Sequence, residues 1–148
     1  MTEPEQEHYE PLTPVQIERE VRHLHKERAR AQQMIEAARV EVVKTRSAVT
    51  SAKGALTVAI AKAGMREDCP VMGRGSGQVS KDERTGWIVL ETLDERAALE
   101  TATNNAIAAR AVLDAAFGFA KQVSEQMMTG TSLNKSTTEA YRTSGGPR

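Results

Sequence analysis

Residues 13–64 read TPVQIEREVRHLHKERARAQQMIEAARVEVVKTRSAVTSAKGALTVAIAKAG, and the fold follows from how this stretch starts and what repeats inside it. Thr13, Pro14 and Gln16 make a helix start. A hydroxyl sits at the N-cap, proline at the first helical position, and Gln three residues on can reach back to close a capping box, with Leu12 and Ile17 as a hydrophobic staple. No proline then interrupts until Pro70. An apolar seam runs through Ile17, Val21, Leu24, Arg28, Ala31, Ile35, Ala38, Val42, Thr45, Val49, Ala52, Leu56, Ala59 and Ala63 in alternating steps of four and three. Only Arg28 and Thr45 break its apolar character. A seam held over so many heptads is a coiled-coil pattern, because an ordinary surface helix drifts at 3.6 residues per turn. The segment 14–63 therefore predicts one helix roughly 75 Å long at 1.5 Å per residue, with Gly64 as its stop.

Working outward, residues 64–80 carry four glycines and a proline with no usable period and read as a Gly-rich loop. Ser80-Lys81-Asp82-Glu83 is a second capping box and Thr92-Leu93-Asp94-Glu95 a third. The apolar run Trp87-Ile88-Val89-Leu90 between them fits a short helix, or else a brief extended piece, with a kink near 86–92. Beyond it the seam is clean: Leu99, Ala102, Ala106, Ala109, Leu113, Ala116, Ala120, Val123 and Met127. Gly130 predicts the end of this second helix, 81–128. The Thr, Ser and Gly of 129–148 and the acidic residues of 1–12 predict disordered tails around a helical region 13–128.

Two helices of matched length, joined by one loop, predict an all-α fold: a long antiparallel two-helix hairpin, coiled-coil-like. The seams are rich in Ala, with 21 in the chain, and aromatics are only 3% of it. Ala seams bury little area, so the hairpin is expected to self-associate into a helical bundle. That bundle would cover Val40, Val43, Val58, Ile60, Ile107, Val112 and one of two Phe residues. Charge is sorted between the helices: residues 13–63 hold ten basic and five acidic groups, residues 81–128 five basic and eight acidic. That favours pairing unlike helices, although each exposed pair contributes little.

Twenty Lys and Arg balance twenty Asp and Glu, which excludes a uniformly basic DNA packager and an acidic DNA mimic. Cys69 is the only cysteine, so no intramolecular disulfide or CxxC metal site exists. Residues 1–11 hold four Glu and no apolar run, unlike a signal or transit peptide, and no stretch approaches a membrane span. The expectation is a cytoplasmic protein with no membrane contact.

Candidate chemistry is sparse. His23 and His25 point to different sides of a helix, and His23 with Glu27 lacks a third ligand, so no metal or other cofactor is expected. Gly73-Arg74-Gly75-Ser76-Gly77 lacks the Lys-Ser/Thr of a phosphate-cradling loop and reads as a flexible turn. No nucleophile–base set can be argued from spacing, which predicts a non-enzyme. Arg19, Arg22, Lys26 and Arg30 are the candidate phosphate contacts. Glu18, Glu20 and Glu27 in the same turns, with no aromatics to stack bases, favour a solvated salt-bridged face over nucleic-acid binding. Trp87, Ile88, Phe117 and Phe119 are the candidate interaction residues. Four adjacent apolar residues cannot all point inward, and Phe117 and Phe119 lie about 200° apart on a helix.

The stretch Gly77–Met127, with Asp82-Glu83-Arg84, Leu90-Glu91-Thr92-Leu93-Asp94-Glu95 and the following Ala/Arg-rich heptads, resembles small helical-hairpin proteins of actinobacterial tailed phages, as does Ala52–Ala63. The resemblance implies an early-expressed phage accessory protein, often encoded near recombination or replication genes, acting in the host cytoplasm. It carries over no functional residues. Together these readings predict a protein that binds itself and a protein partner, in DNA recombination, replication or host takeover. A virion scaffold or connector component comes second and a direct nucleic-acid binder third.

Overall fold

A computed structural model describes residues 13–143, all-helical apart from the linkers. Three helices follow one another: α1 (Pro14–Met65), α2 (Lys81–Glu91) and α3 (Leu93–Thr143). The expected tail at 1–12 and the last residues, 144–148, lie outside the described residues.

The helix starts form as their sequences dictate. The Thr13 N–H donates to Gln16 Oε1 at 2.8 Å, and the Gln16 N–H returns to Thr13 Oγ1 at 3.4 Å. At α2, the Glu83 N–H donates to Ser80 Oγ at 3.2 Å while the Ser80 N–H donates to Glu83 Oε2 at 2.7 Å, a complete capping box. The two long helices pack along the seams. Every expected seam position of α1 except Arg28 is buried or half-buried, and so is every one on α3 from Leu99 to Met127.

The packed helices divide into two compact units, one joining residues 13–35 to 116–143 and the other comprising Glu36–Ala115. In the first, Ile17, Leu24 and Ala31 of α1 and Ala116 and Val123 of α3 form the buried row. Here the sequence expectation of a helix end at Gly130 and a disordered tail from 129 is corrected: α3 continues to Thr143. A glycine ends a helix when it turns into the left-handed region, and Gly77 is the one described glycine with positive φ. Gly130 instead lies against α1, where a Cβ would meet Leu24 Cδ1 at 3.8 Å and Val21 Cγ2 at 3.9 Å. The spacing of the seam carries on through Met127, Gly130 and Thr137, which are half-buried, while Asn134 between them is exposed. The hydroxyls that suggested disorder donate back up the helix, Thr131 to the Met127 carbonyl and Thr137 to that of Leu133, both at 2.8 Å.

In the second unit Ala38, Thr45 and Ala63 of α1 and Ala109 and Leu113 of α3 are buried. The α2–α3 break falls at Thr92, which is 1% exposed with φ −119° and ψ 24°. Its hydroxyl turns back to donate to the Ile88 carbonyl at 2.8 Å and accepts from Arg96 Nε at 3.1 Å, so the third expected capping box does not form. Its own N–H bonds the Val89 carbonyl three residues back, and its carbonyl receives the Arg96 N–H. A buried hydroxyl satisfied on both sides fixes the break where it stands.

The Gly-rich segment is ordered by its own bonds rather than being a loose turn. The Val79 N–H donates to the Val71 carbonyl at 2.9 Å, the Gly73 N–H to the Val79 carbonyl at 3.2 Å, and the Gly75 N–H to Gln78 Oε1 at 2.8 Å. Gly77, at φ +80°, makes the reversal that a side chain would strain. Met72 and Val79 form an isolated bridge, and no strand is present among the described residues.

Candidate interaction site

The loop-bearing unit is closed by two arginines. Arg66, just past α1, donates from Nε to Asp68 Oδ1 at 2.9 Å, pairs with Glu91 at the end of α2, and lies with its guanidinium carbon 5.4 Å from the Trp87 ring centre. The Asp68 hydrogen bond raises its proton affinity further above the ordinary arginine range; desolvation opposes this, and the charges of Asp68 and Glu91 add to it. Arg84 of α2 donates from Nη2 to the Gly64 carbonyl at 3.3 Å, capping an end of α1 whose carbonyls lack helical partners. These contacts occupy the face of Trp87. Trp87, Ile88 and Val89 stay half-buried, and Leu90 is exposed.

The helix-pair unit has a groove on each side of its seam. Lettering each heptad with Val21 as a in α1 and Leu99 as a in α3, Glu20 and Glu27 fall at g, as do Phe119, Gln126 and Leu133. They line a groove of about 680 Å³, with Glu125 at its edge and Leu24 and Val123 on its floor. Its other charged or titratable lining residue is His23. On the opposite, e side a groove of about 600 Å³ is lined by Arg28, Met127, Met128 and Lys135 together with Ser and Thr, and by no carboxylate. Arg28, the one charged residue at a seam position, thus opens onto a flank instead of into the seam.

The candidate residues sort accordingly. Phe119 is half-buried in the acidic groove, and Phe117, at e, is 43% exposed, as their 200° separation requires. Trp87 and Ile88 belong to the other unit. Arg19, Arg22, Lys26 and Arg30 are all exposed, with Arg22 engaged by Glu18 at 2.5 Å and Arg30 facing Glu27 at 3.9 Å. Lys121 faces Glu125 at 4.0 Å. The glycine-loop amides of Gly73 and Gly75 are already bonded within the loop, so neither is offered to an anion. Among the described residues no group of three His, Cys, Asp or Glu could hold a metal ion, and no helix is long and apolar enough to cross a membrane.

Comparison with protein-family models, curated proteins and solved structures gives no match to the chain. Sequence reasoning missed the paired grooves, although the signal was present: writing out the e and g positions, as well as the seam, separates Glu20 and Glu27 from Ser124 and Thr131. It also missed Arg66 and Thr92, whose partners depend on how the loop folds.

Proposed function

We propose that this chain is a non-enzymatic interaction protein: an antiparallel, coiled-coil-like helical hairpin that self-associates into a helical bundle and binds a protein partner. In this reading it is a phage-type accessory protein acting in the host cytoplasm on DNA recombination, replication or host takeover. One observation carries the self-association. Large apolar residues recur beside the seam and remain exposed: Val43, Ile60, Ile107, Val58 and Val112 in one unit, Met34, Met128 and Leu133 in the other. A two-helix seam has no use for side chains at these positions, whereas a third and fourth helix would bury them.

Sedimentation equilibrium from about 1 to 100 μM tests the reading at affinities typical of specific association. A mass rising toward a multiple of 16.1 kDa is expected, and a constant 16.1 kDa would overturn it. A gel-shift series with DNA and RNA tests the competing use of Arg19, Arg22, Lys26 and Arg30. No shift is expected at about 150 mM salt, where exposed charges are screened beyond roughly 8 Å. Binding there would replace the protein-partner reading with a nucleic-acid one.

A further inference from the structure

The two grooves beside the helix-pair unit differ in sign, and their features recur at the same interval. Glu20 and Glu27 are one heptad apart on α1, and so are Phe119 and Leu133 from Gln126 on α3. On the other side Met128 and Lys135 are also one heptad apart. Seven residues of helix rise about 10.5 Å. A ridge carrying Met128 and Lys135 can therefore enter a groove edged by Glu20 and Glu27 in register, its apolar member toward Phe119 and its cation toward a carboxylate. Met128 is 67% exposed, which leaves it available as that knob. Glu20, Arg28 and Lys135 make no ion pair among the described residues, and Glu27 and Glu125 have only the long pairs to Arg30 and Lys121.

From this sorting we propose that the occupant of the acidic groove is the basic flank of a second copy of this chain. The contact is heterologous: one copy's Glu20, Glu27 and Glu125 side receives the next copy's Arg28, Met128 and Lys135 side. A two-fold contact through either groove would oppose like charges, whereas the head-to-tail contact opposes unlike ones and leaves a free groove at each end for further copies. The proposal rests on the self-association reading and specifies its geometry.

Full-length variants reversed on one side only give the test. Glu20→Lys with Glu125→Lys makes the first groove basic; Arg28→Glu with Lys135→Glu makes the second acidic. All four positions are exposed, and circular dichroism confirms that each variant keeps its helices. Each variant alone should associate at least about tenfold more weakly than the unaltered chain, because its two sides now carry the same sign. In the equimolar mixture each side of one variant meets a side of opposite sign on the other, so both head-to-tail contacts return and the two variants should assemble in alternation. The chain carrying all four reversals should assemble again. Variants that weaken without recovery on mixing would overturn the head-to-tail contact, as would variants that associate like the unaltered chain; in both cases self-association itself would stand. An unaltered chain that stays monomeric throughout would remove the self-association reading, and this contact with it.

Discussion

The two units solve the same problem, a thin Ala-rich seam, in different ways. In Glu36–Ala115 the seam is supplemented by specific polar contacts: Arg66 joins Asp68, Glu91 and the Trp87 face, Arg84 caps α1 at Gly64, and the buried Thr92 hydroxyl holds the α2–α3 break. In the unit of 13–35 and 116–143 the ion pairs Arg22–Glu18, Arg30–Glu27 and Lys121–Glu125 each stay within one helix. Larger apolar residues, Ile17, Leu24 and Val123, make the joint, and the charges are left on the flanks. One unit uses its polar groups to fix its own loop. The other holds them where a neighbouring molecule can meet them.

The strongest challenge to this contrast is truncation of one seam leucine in each unit. Leu24 is 8% and Leu113 6% exposed; Leu24 packs in the joint with Ile17 and Val123, and Leu113 is flanked by Ala109 and Ala116. Leu24→Ala and Leu113→Ala should each cost about 2–4 kcal/mol by denaturant unfolding. Hydrogen exchange should locate the damage, in 13–35 and 116–143 for the first and within Glu36–Ala115 for the second. Equal loosening everywhere in both variants would erase the division into units.

A smaller effect probes the polar side of the comparison. Thr92→Val keeps the shape but removes the hydroxyl that donates to Ile88 and accepts from Arg96, and should cost about 1–2 kcal/mol. Fluorescence of Trp87, the only tryptophan, should shift as α2 loosens. An unchanged melt and spectrum would show that the break needs no hydroxyl. Gly130→Ala probes the apolar joint with the opposite sign. The added methyl meets Val21 and Leu24 at ordinary contact distance inside a helix, so the variant should gain up to about 1 kcal/mol in thermal unfolding. A loss would mean that α1 and α3 approach more closely there than the structure shows.

The smallest effect is a pH dependence at the start of α2. The Ser80 backbone hydrogen bond, and then the Ser80 side chain, hold the Glu83 carboxyl below its ordinary value of 4.5. A carboxyl whose pKa is lower folded than unfolded stabilises the fold above the unfolded value, and that contribution is lost as pH falls through the folded one. Glu83→Gln, which keeps an acceptor but cannot titrate, should flatten the acid limb of the stability curve slightly. An unaltered limb would show that the capping carboxylate contributes nothing there.

Both seams were legible in the sequence because a strict alternation of three and four needs no knowledge of the partner. The capping boxes at Thr13 and Ser80 were equally legible, being bonds between residues three apart. What escaped depends on residues far away in the chain or on local bonding that composition does not report. Gly130 reads as a stop until Val21 and Leu24 are seen against it. The Ser/Thr tail reads as disorder until its hydroxyls are found bonded back along α3. Thr92 reads as a cap until its hydroxyl is seen turned the other way, and Arg66 reads as one more exposed charge until the loop brings Glu91 and Trp87 to it.

Both grooves of the helix-pair unit depend on α3 beyond Met128, through Thr129, Gly130 and Leu133 on one side and Thr131, Ser132 and Lys135 on the other. The most direct test of the account is the sedimentation mass of a chain ending at Met128 beside that of the full chain. The account predicts that the shortened chain keeps the helical signal of Glu36–Ala115 and associates at least about tenfold more weakly than the full chain, because it keeps the exposed apolar residues of that unit but loses the charge-matched grooves. Association of the shortened chain at the full chain's affinity would contradict it.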